Sequence, residues 1–157
     1  MGTEIERKFL VEGESWRTVI VSSTKLRQGY LAIDLGNTVR VRTDGREAWV
    51  TVKGPTDGLL RPEFEYAIPK DDAGHLLALC RARVVEKIRH RIEYGGYVWE
   101  VDEFLGNNRG LILAEIELTA ASDLVDKPSW VGREVSGEPM YYNASLSVRP
   151  YSEWAPR

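Results

Sequence analysis

Over most of this chain, apolar and ionised residues take turns with a period of two. That pattern fits strands and does not fit amphipathic helices. Ile5, Arg7 and Phe9 alternate with Glu4, Glu6 and Lys8; Val39 and Val41 alternate with Arg40 and Arg42. Val50 and Val52 flank Thr51 before Lys53, and Phe64 lies between Glu63 and Glu65. Ile88 separates Lys87 from Arg89, Val101 separates Glu100 from Asp102, and Ile116 and Leu118 interleave with Glu115 and Glu117. Such alternation sends one set of side chains to each face of a sheet. Turn signals bound the runs at Leu35-Gly36-Asn37, Asp44-Gly45, Gly54 to Gly58, Gly95-Gly96 and Gly106 to Gly110, which predicts antiparallel hairpins. Helical patterns are fewer: Ser15 to Ile20, a stretch after Asp71-Asp72 carrying Leu76, Leu77, Leu79 and Cys80, Asp123 to Val125, and Pro139 to Val148. The expected class is α+β, with about eight strands.

The polar phase is unusual because it is nearly all ionised and repeats like charges two residues apart. Glu4/Glu6, Glu63/Glu65 and Glu115/Glu117 are acid pairs; Arg40/Arg42 and Lys87/Arg89 are basic ones. Residues two apart on a strand share a face at about 7 Å, so each pair repels mildly and gains nothing locally. Taken singly, each pair fits a solvated sheet face. Taken together, they suggest a face built to hold counter-charges. If about eight strands close into a barrel, the interior holds side chains or one small ligand. Carboxylates converging there raise one another's pKa values unless a cation sits between them, and converging bases require an anion. Unpaired charges cost several kcal/mol each when desolvated, so an empty dry version is implausible. A metal plus a polyanion satisfies both sets. Carboxylate oxygens without His or Cys are hard ligands, which favours Mg²⁺ or Mn²⁺. His75, His90 and Cys80 read as structural, no Ser/His/Asp arrangement is apparent, and the glycine-rich phosphate loops are absent.

Length and composition set the remaining bounds. A chain of 157 residues suits a single domain spanning 1–157. The net charge of −3 argues against a nucleic-acid binder. One cysteine allows no internal disulfide, and the N-terminus is charged from Glu4 onward with no apolar leader. No apolar run approaches the roughly 20 residues that span a bilayer. Neither a membrane nor a nucleic acid is an expected partner, and the cytoplasm is the expected compartment.

These charged strands carry a resemblance. Glu4-Ile5-Glu6-Arg7-Lys8 is similar to the Glu-x-Glu-x-Lys signature of the CYTH proteins, the triphosphate tunnel metalloenzymes. Gln28-Gly29-Tyr30-Leu31, Arg40-Val41-Arg42, Thr51-Val52-Lys53-Gly54, Arg61-Pro62-Glu63-Phe64-Glu65, Lys87-Ile88-Arg89, Trp99-Glu100-Val101-Asp102 and Ala114-Glu115-Ile116-Glu117-Leu118 follow in order. Trp130 to Val135 and Tyr142-Asn143 resemble its small bacterial members. The resemblance implies a closed eight-stranded antiparallel barrel enclosing a tunnel, with helices packed outside. It implies that Glu4, Glu6, Glu63, Glu65, Asp102, Glu115 and Glu117 hold one or two Mg²⁺ or Mn²⁺ ions, Asp102 being a weaker candidate and Glu100 weaker still. It likewise implies that Lys8, Arg40, Arg42, Lys53, Arg61, Lys87 and Arg89 bind phosphates, with Glu4, Glu6, Lys8 and Lys53 at the chemistry.

The expected activity is metal-dependent hydrolysis of a linear triphosphate, with inorganic tripolyphosphate favoured because a short chain leaves little surface for an organic head group. Thiamine triphosphate, nucleoside triphosphates and cyclisation of ATP are the competing substrates and reactions. A non-catalytic polyphosphate or nucleotide sensor is the alternative of another class, and a purely structural barrel is a third. Trp49, Trp99 and Tyr30 are the candidates for an aromatic platform. A homodimer is the expected assembly, mostly by resemblance, with Trp154 and Leu59-Leu60 as the apolar residues available to it.

Overall fold

The computed structural model describes residues 2–154. Its strands are β1 (Gly2–Val11), β2 (Ser22–Asp34), β3 (Asn37–Thr43), β4 (Ala48–Lys53), β5 (Leu60–Ile68), β6 (Val84–Tyr94), β7 (Tyr97–Phe104), β8 (Ile112–Glu117) and β9 (Val131–Glu134). Neighbours run β5-β4-β3-β2-β6-β7-β8-β1, and a further β1–β5 pairing closes the ring. Eight antiparallel strands therefore form a closed barrel, as the resemblance implied. The ninth, β9, lies outside that ring and pairs with the far part of β1, at Phe9↔Glu134 and Val11↔Val131. Two hairpins turn on residues with positive φ, Leu35-Gly36 (50° and 85°) and Gly95-Gly96 (62° and 80°). Two-residue turns of that kind match the twist of the strands they join.

The apolar phase faces outward and is covered there. On β1, β6, β7 and β8 it builds a core of Phe9, Ile92, Trp99, Val101, Ala114 and Ile116, joined by Trp16 and Trp130. The Trp99 ring sits 5.6 Å from Phe9 and 5.8 Å from Trp130. His90 belongs to this outer side, packed 5.3 Å from Trp16, with Ser23 and Glu103 on its ring nitrogens. A second core forms where α1 (Lys70–Leu79) lays Ala73 and Leu77 on Val41 and Ala48. The close approach of α1 requires Gly29: a Cβ there would lie 2.7 Å from Cys80 Sγ and 3.1 Å from Leu77.

The Ser15–Val19 segment forms a 3-10 helix, and Pro139–Tyr141 leads into α2 (Asn143–Val148). Asp123 to Val125 is not helical, contrary to the sequence expectation. The Asp123 carboxylate instead accepts from Thr119 N (3.1 Å), Thr119 Oγ1 (2.8 Å) and Ala120 N (3.1 Å), and this local capture competes with helix formation. Among the described residues, no helix is long and apolar enough to cross a membrane.

Register stacks the barrel interior in layers. At one end Leu10, Val85, Phe104 and Leu113 continue the inward phase but are apolar, and they pack with Tyr141 and Leu146 around α2. The next layer is ionised: Lys8 faces Glu115, and Arg89 faces Asp102. Beyond it Glu6 faces Glu117. The interior is thus closed by hydrocarbon at one end and charged above it.

Candidate active site

The charged layers enclose a cavity of about 560 Å³, within the usual range for a small-molecule site. Among the described residues, its wall carries Lys8, Arg40, Arg42, Lys53, Arg61, Lys87 and Arg89. It also carries Glu4, Glu6, Glu63, Glu65, Glu100, Glu115 and Glu117. Residues scattered over more than a hundred positions meet here because each occupies the inward phase of its own strand.

Cross-strand rows hold many of these groups in place. Arg40 Nη2 donates to Thr51 Oγ1 (3.0 Å), whose hydroxyl donates to Glu65 Oε2 (2.7 Å); the three residues are direct partners across β3, β4 and β5. Lys53 Nζ donates to both Glu4 oxygens (3.0 Å) and lies 3.4 Å from Glu63. Lys8 Nζ lies 3.3 Å from Glu115 and donates to the Tyr141 carbonyl. Arg89 Nη2 reaches Glu115 at 3.2 Å, and Arg89 Nη1 reaches Glu100 at 3.4 Å.

Two regions of the wall are short of counter-charge, in opposite senses. Burial, with Glu115 and Glu4 nearby, pushes the Glu6 carboxyl up to about 8. Burial also raises Glu4, against the opposing pull of Lys53, and Glu117, where Glu4 and Glu100 add to the effect. Across the ring, burial together with Arg40 and Arg89 pulls Arg42 down to about 10. Burial lowers Lys87 to about 8, although Asp102 pulls the other way. Glu115 shows the contrast: burial would raise it, but Lys8 and Arg89 outweigh burial and hold it far below the usual carboxylate range. One pole thus wants a cation and the other an anion.

Asp102, a weaker metal candidate in the sequence, is placed apart from the other carboxylates. It is 1% exposed and is not part of the cavity wall. Its oxygens accept from Lys87 Nζ (2.7 Å), Arg89 Nε (2.8 Å) and Arg89 Nη2 (2.9 Å), so the two cations stand between it and the cavity. Its position in the deepest ionised layer, next to the apolar plug, accounts for this. Arg61 does reach the wall, but its Nε donates to the Gly54 carbonyl (2.6 Å) and its Nη2 to the Gly36 carbonyl (3.1 Å), tying two loops together.

A search for ionised residues alone overlooks Thr51, Gln28 and Asn143. Thr51 and Gln28 are fully buried on inward phases, and parity would have found both. Asn143 Oδ1 accepts from Lys87 Nζ (2.9 Å) and from Gln28 Nε2 (3.3 Å), whose Nε2 also donates to Tyr30 Oη (3.0 Å). Gln28 Oε1 is left buried without a partner, a defect that typically costs about 1–3 kcal/mol. Asn143 follows an irregular segment, where no periodicity marks a side chain as inward.

A hard divalent cation fits the donor chemistry of the acidic pole, where Glu4, Glu6 and Glu117 supply oxygen ligands whose pKa values are raised by burial and by neighbouring carboxylates. Among the described residues, no three such groups are already drawn together as a cation cage. Among the described residues, the aromatic side chains at the cavity are Tyr30, which is 4% exposed, and Tyr142. Trp99 is buried in the outer core, and Trp49 is not on the wall.

Comparison with known proteins agrees with this architecture. The CYTH domain pattern matches residues 2–151. An inorganic triphosphatase of Acetivibrio thermocellus is 44% identical over 155 residues, covering 98% of this chain and 99% of that protein. The crystal structure of the inorganic triphosphatase NE1496 superposes with a TM-score of 0.65 at 33% identity, over 94% of this chain and 96% of that one. The PH1012 protein of Pyrococcus horikoshii shares the fold, with a TM-score of 0.60 at 19% identity over 75% and 79% of the two chains. With its domain pattern matched along nearly the whole length and its charged residues gathered inside one closed barrel, the chain belongs to the CYTH domain family.

Proposed function

We propose that this protein hydrolyses a linear inorganic triphosphate to diphosphate and phosphate with the help of a divalent cation. The observation that carries the reading is the pair of complementary poles in one cavity: an acidic side short of cations facing a basic side short of anions. The 44% identity to a protein named as an inorganic triphosphatase supports the same substrate. Of the two aromatic rings at the cavity, Tyr30 is buried and Tyr142 has Lys8 Nζ over its ring at 5.8 Å, which favours an inorganic chain over a nucleotide or thiamine ester.

In this reading Arg40, Arg42, Lys87 and Arg89 neutralise the phosphate chain, while Lys8 and Lys53 sit between that region and the acids. Glu4, Glu6 and Glu117 would hold the cation, with Glu63, Glu65 and Glu115 in support. Glu65 and Glu115 are engaged by basic neighbours in the structure, so their first role is to orient Arg40, Lys8 and Arg89. A divalent cation supplies Lewis-acid neutralisation of phosphoryl oxygens. Water attacks the terminal phosphorus, the bridging P–O bond breaks, and the diphosphate leaves into a field of fixed positive groups. Positioning and charge stabilisation are the main contributions in such transfers.

A panel of tripolyphosphate, thiamine triphosphate and ATP with Mg²⁺ or Mn²⁺ tests this, reading phosphate, diphosphate and cyclic nucleotide separately. Fastest turnover is expected for tripolyphosphate, with equal yields of phosphate and diphosphate. Cyclic nucleotide as the main product, or tight binding without turnover, would replace the reading.

The Glu6 shift adds a pH prediction. At pH 7 the metal-free site retains a proton that the unfolded chain has lost, because Glu6 titrates near 8 rather than 4.5. This group therefore stabilises the fold less as pH rises from the unfolded value through about 8, while cation affinity rises over the same window. Adding Mg²⁺ near pH 7 is expected to release up to about one proton per site, measured from the buffer dependence of the calorimetric heat. No proton release would contradict it.

A further inference from the structure

We propose that Asn143 is a substrate-binding residue, its amide nitrogen donating to an oxygen of the bound phosphate chain while its amide oxygen holds Lys87. The inference rests on the triphosphatase reading above and adds a neutral donor, contributed by the C-terminal segment, to a cavity whose charged residues all come from barrel strands.

Donor and acceptor logic fixes the direction of the amide. Lys87 can only donate, so the Asn143 atom 2.9 Å from its Nζ must be oxygen. The same oxygen receives Gln28 Nε2 at 3.3 Å, which turns the Gln28 nitrogen inward and leaves its buried oxygen without a partner. Rotating both amides would turn the Asn143 nitrogen toward Lys87, which has no acceptor to offer it, and abandon that bond. The bond from Lys87 therefore keeps the Asn143 nitrogen turned away from both neighbours. That nitrogen has no partner among the described residues, and Asn143 belongs to the cavity wall. A donor next to Lys87, on the anion-seeking side, is complementary to a phosphate oxygen and to little else in the site. A carboxylate in its place could still accept from Lys87 but would face the phosphate with like charge.

The experiment compares Asn143→Ala and Asn143→Asp, reading KM and kcat for tripolyphosphate with Mg²⁺, calorimetric binding of tripolyphosphate in EDTA, and melting temperature. Asn143→Ala is expected to raise KM and the metal-free Kd by about tenfold, as for loss of one hydrogen bond to a charged group. Asn143→Asp is expected to be worse, by about a hundredfold, from like-charge apposition. If Asn143 only anchored Lys87, the aspartate would be the milder change; Asp binding as well as or better than Ala overturns the proposal. A second measurement does not depend on folding of the aspartate variant. With side-chain amide ¹⁵N labelling of asparagine, the NH₂ pair missing from the spectrum of Asn143→Ala is expected to shift when tripolyphosphate is added to wild-type protein in EDTA. The pairs of Asn37, Asn107 and Asn108 are expected to stay in place. An unmoved Asn143 pair in protein that binds tripolyphosphate overturns the inference alone. Wild-type protein that neither binds nor hydrolyses tripolyphosphate overturns the underlying reading as well.

Discussion

Changing Glu4 or Glu117 to Gln, one at a time, is expected to lower metal-dependent turnover of tripolyphosphate by about two to three orders of magnitude while the barrel stays folded. Each substitution keeps shape and removes one charge. A cation that stabilises the transferring group contributes several kcal/mol, and about 1.4 kcal/mol is a factor of ten in rate. The fold should tolerate the change because both carboxyls sit where negative charge is in surplus. Burial raises Glu117, and Glu4 and Glu100 raise it further; Glu4 is raised by burial and Glu63 despite its bonds to Lys53. Lys53 retains Glu63 at 3.4 Å when Glu4 is neutralised. Melting temperature is expected to hold or rise, and metal-free binding of tripolyphosphate to remain near that of the wild type. Near-normal Mg²⁺-dependent turnover in both variants would remove the acidic pole from the mechanism.

The second large effect concerns Asp102 and is one of stability. Asp102→Ala leaves Lys87 and Arg89 packed together in the deepest ionised layer without their shared anion. Breaking a buried ion pair from one side costs about 3–5 kcal/mol, and a chain of this size loses roughly 2–4 °C in melting temperature per kcal/mol. A drop on the order of 10 °C is therefore expected. Asp102→Asn keeps two acceptor or donor positions and is expected to be milder. Asp102 separates two roles cleanly: a positioning residue alters KM and stability while the Mg²⁺ concentration giving half-maximal rate is unchanged, whereas a metal ligand would raise that concentration. The sign of its acid response follows from its depressed pKa. Burial opposes its ionisation, but Arg89 and Lys87 overcome that, so its contribution is present above the unfolded value of 3.8 and is lost as pH falls through the lower folded value.

Much of the barrel was legible in the chain because a strand's period of two needs no tertiary information. Once Glu4, Arg40, Glu63, Lys87 and Glu115 are known to share the phase opposite Phe9, Val41, Phe64, Ile88 and Ile116, the two faces of the sheet are assigned. The hairpin at Gly95-Gly96 and the loop from Gly54 to Gly58 were legible for the same local reason, since turns need residues that accept positive φ. The expected helix at Asp123 failed because the same carboxylate that can start a helix can also fold back onto Thr119 and Ala120. Val131 to Glu134 pairs as a strand only because β1 extends beyond the closed ring to meet it.

Depth along the barrel was the main property hidden from the sequence. Alternation says that Glu100 and Asp102 point the same way; it does not say that one lines the cavity and the other is sealed behind Lys87 and Arg89. That difference depends on register between strands and on the plug formed by Leu10, Phe104, Leu113, Tyr141 and Leu146. The amide of Asn143 joins the site through the same long-range packing, 56 residues from the lysine it holds. Local pattern decided which residues are charged and which face they occupy, because those depend on neighbours one or two positions away. Pairing across the closed ring decided which charges touch, which are screened from solvent and which remain short of a partner, because desolvation and Coulomb energies depend on distances no linear pattern contains.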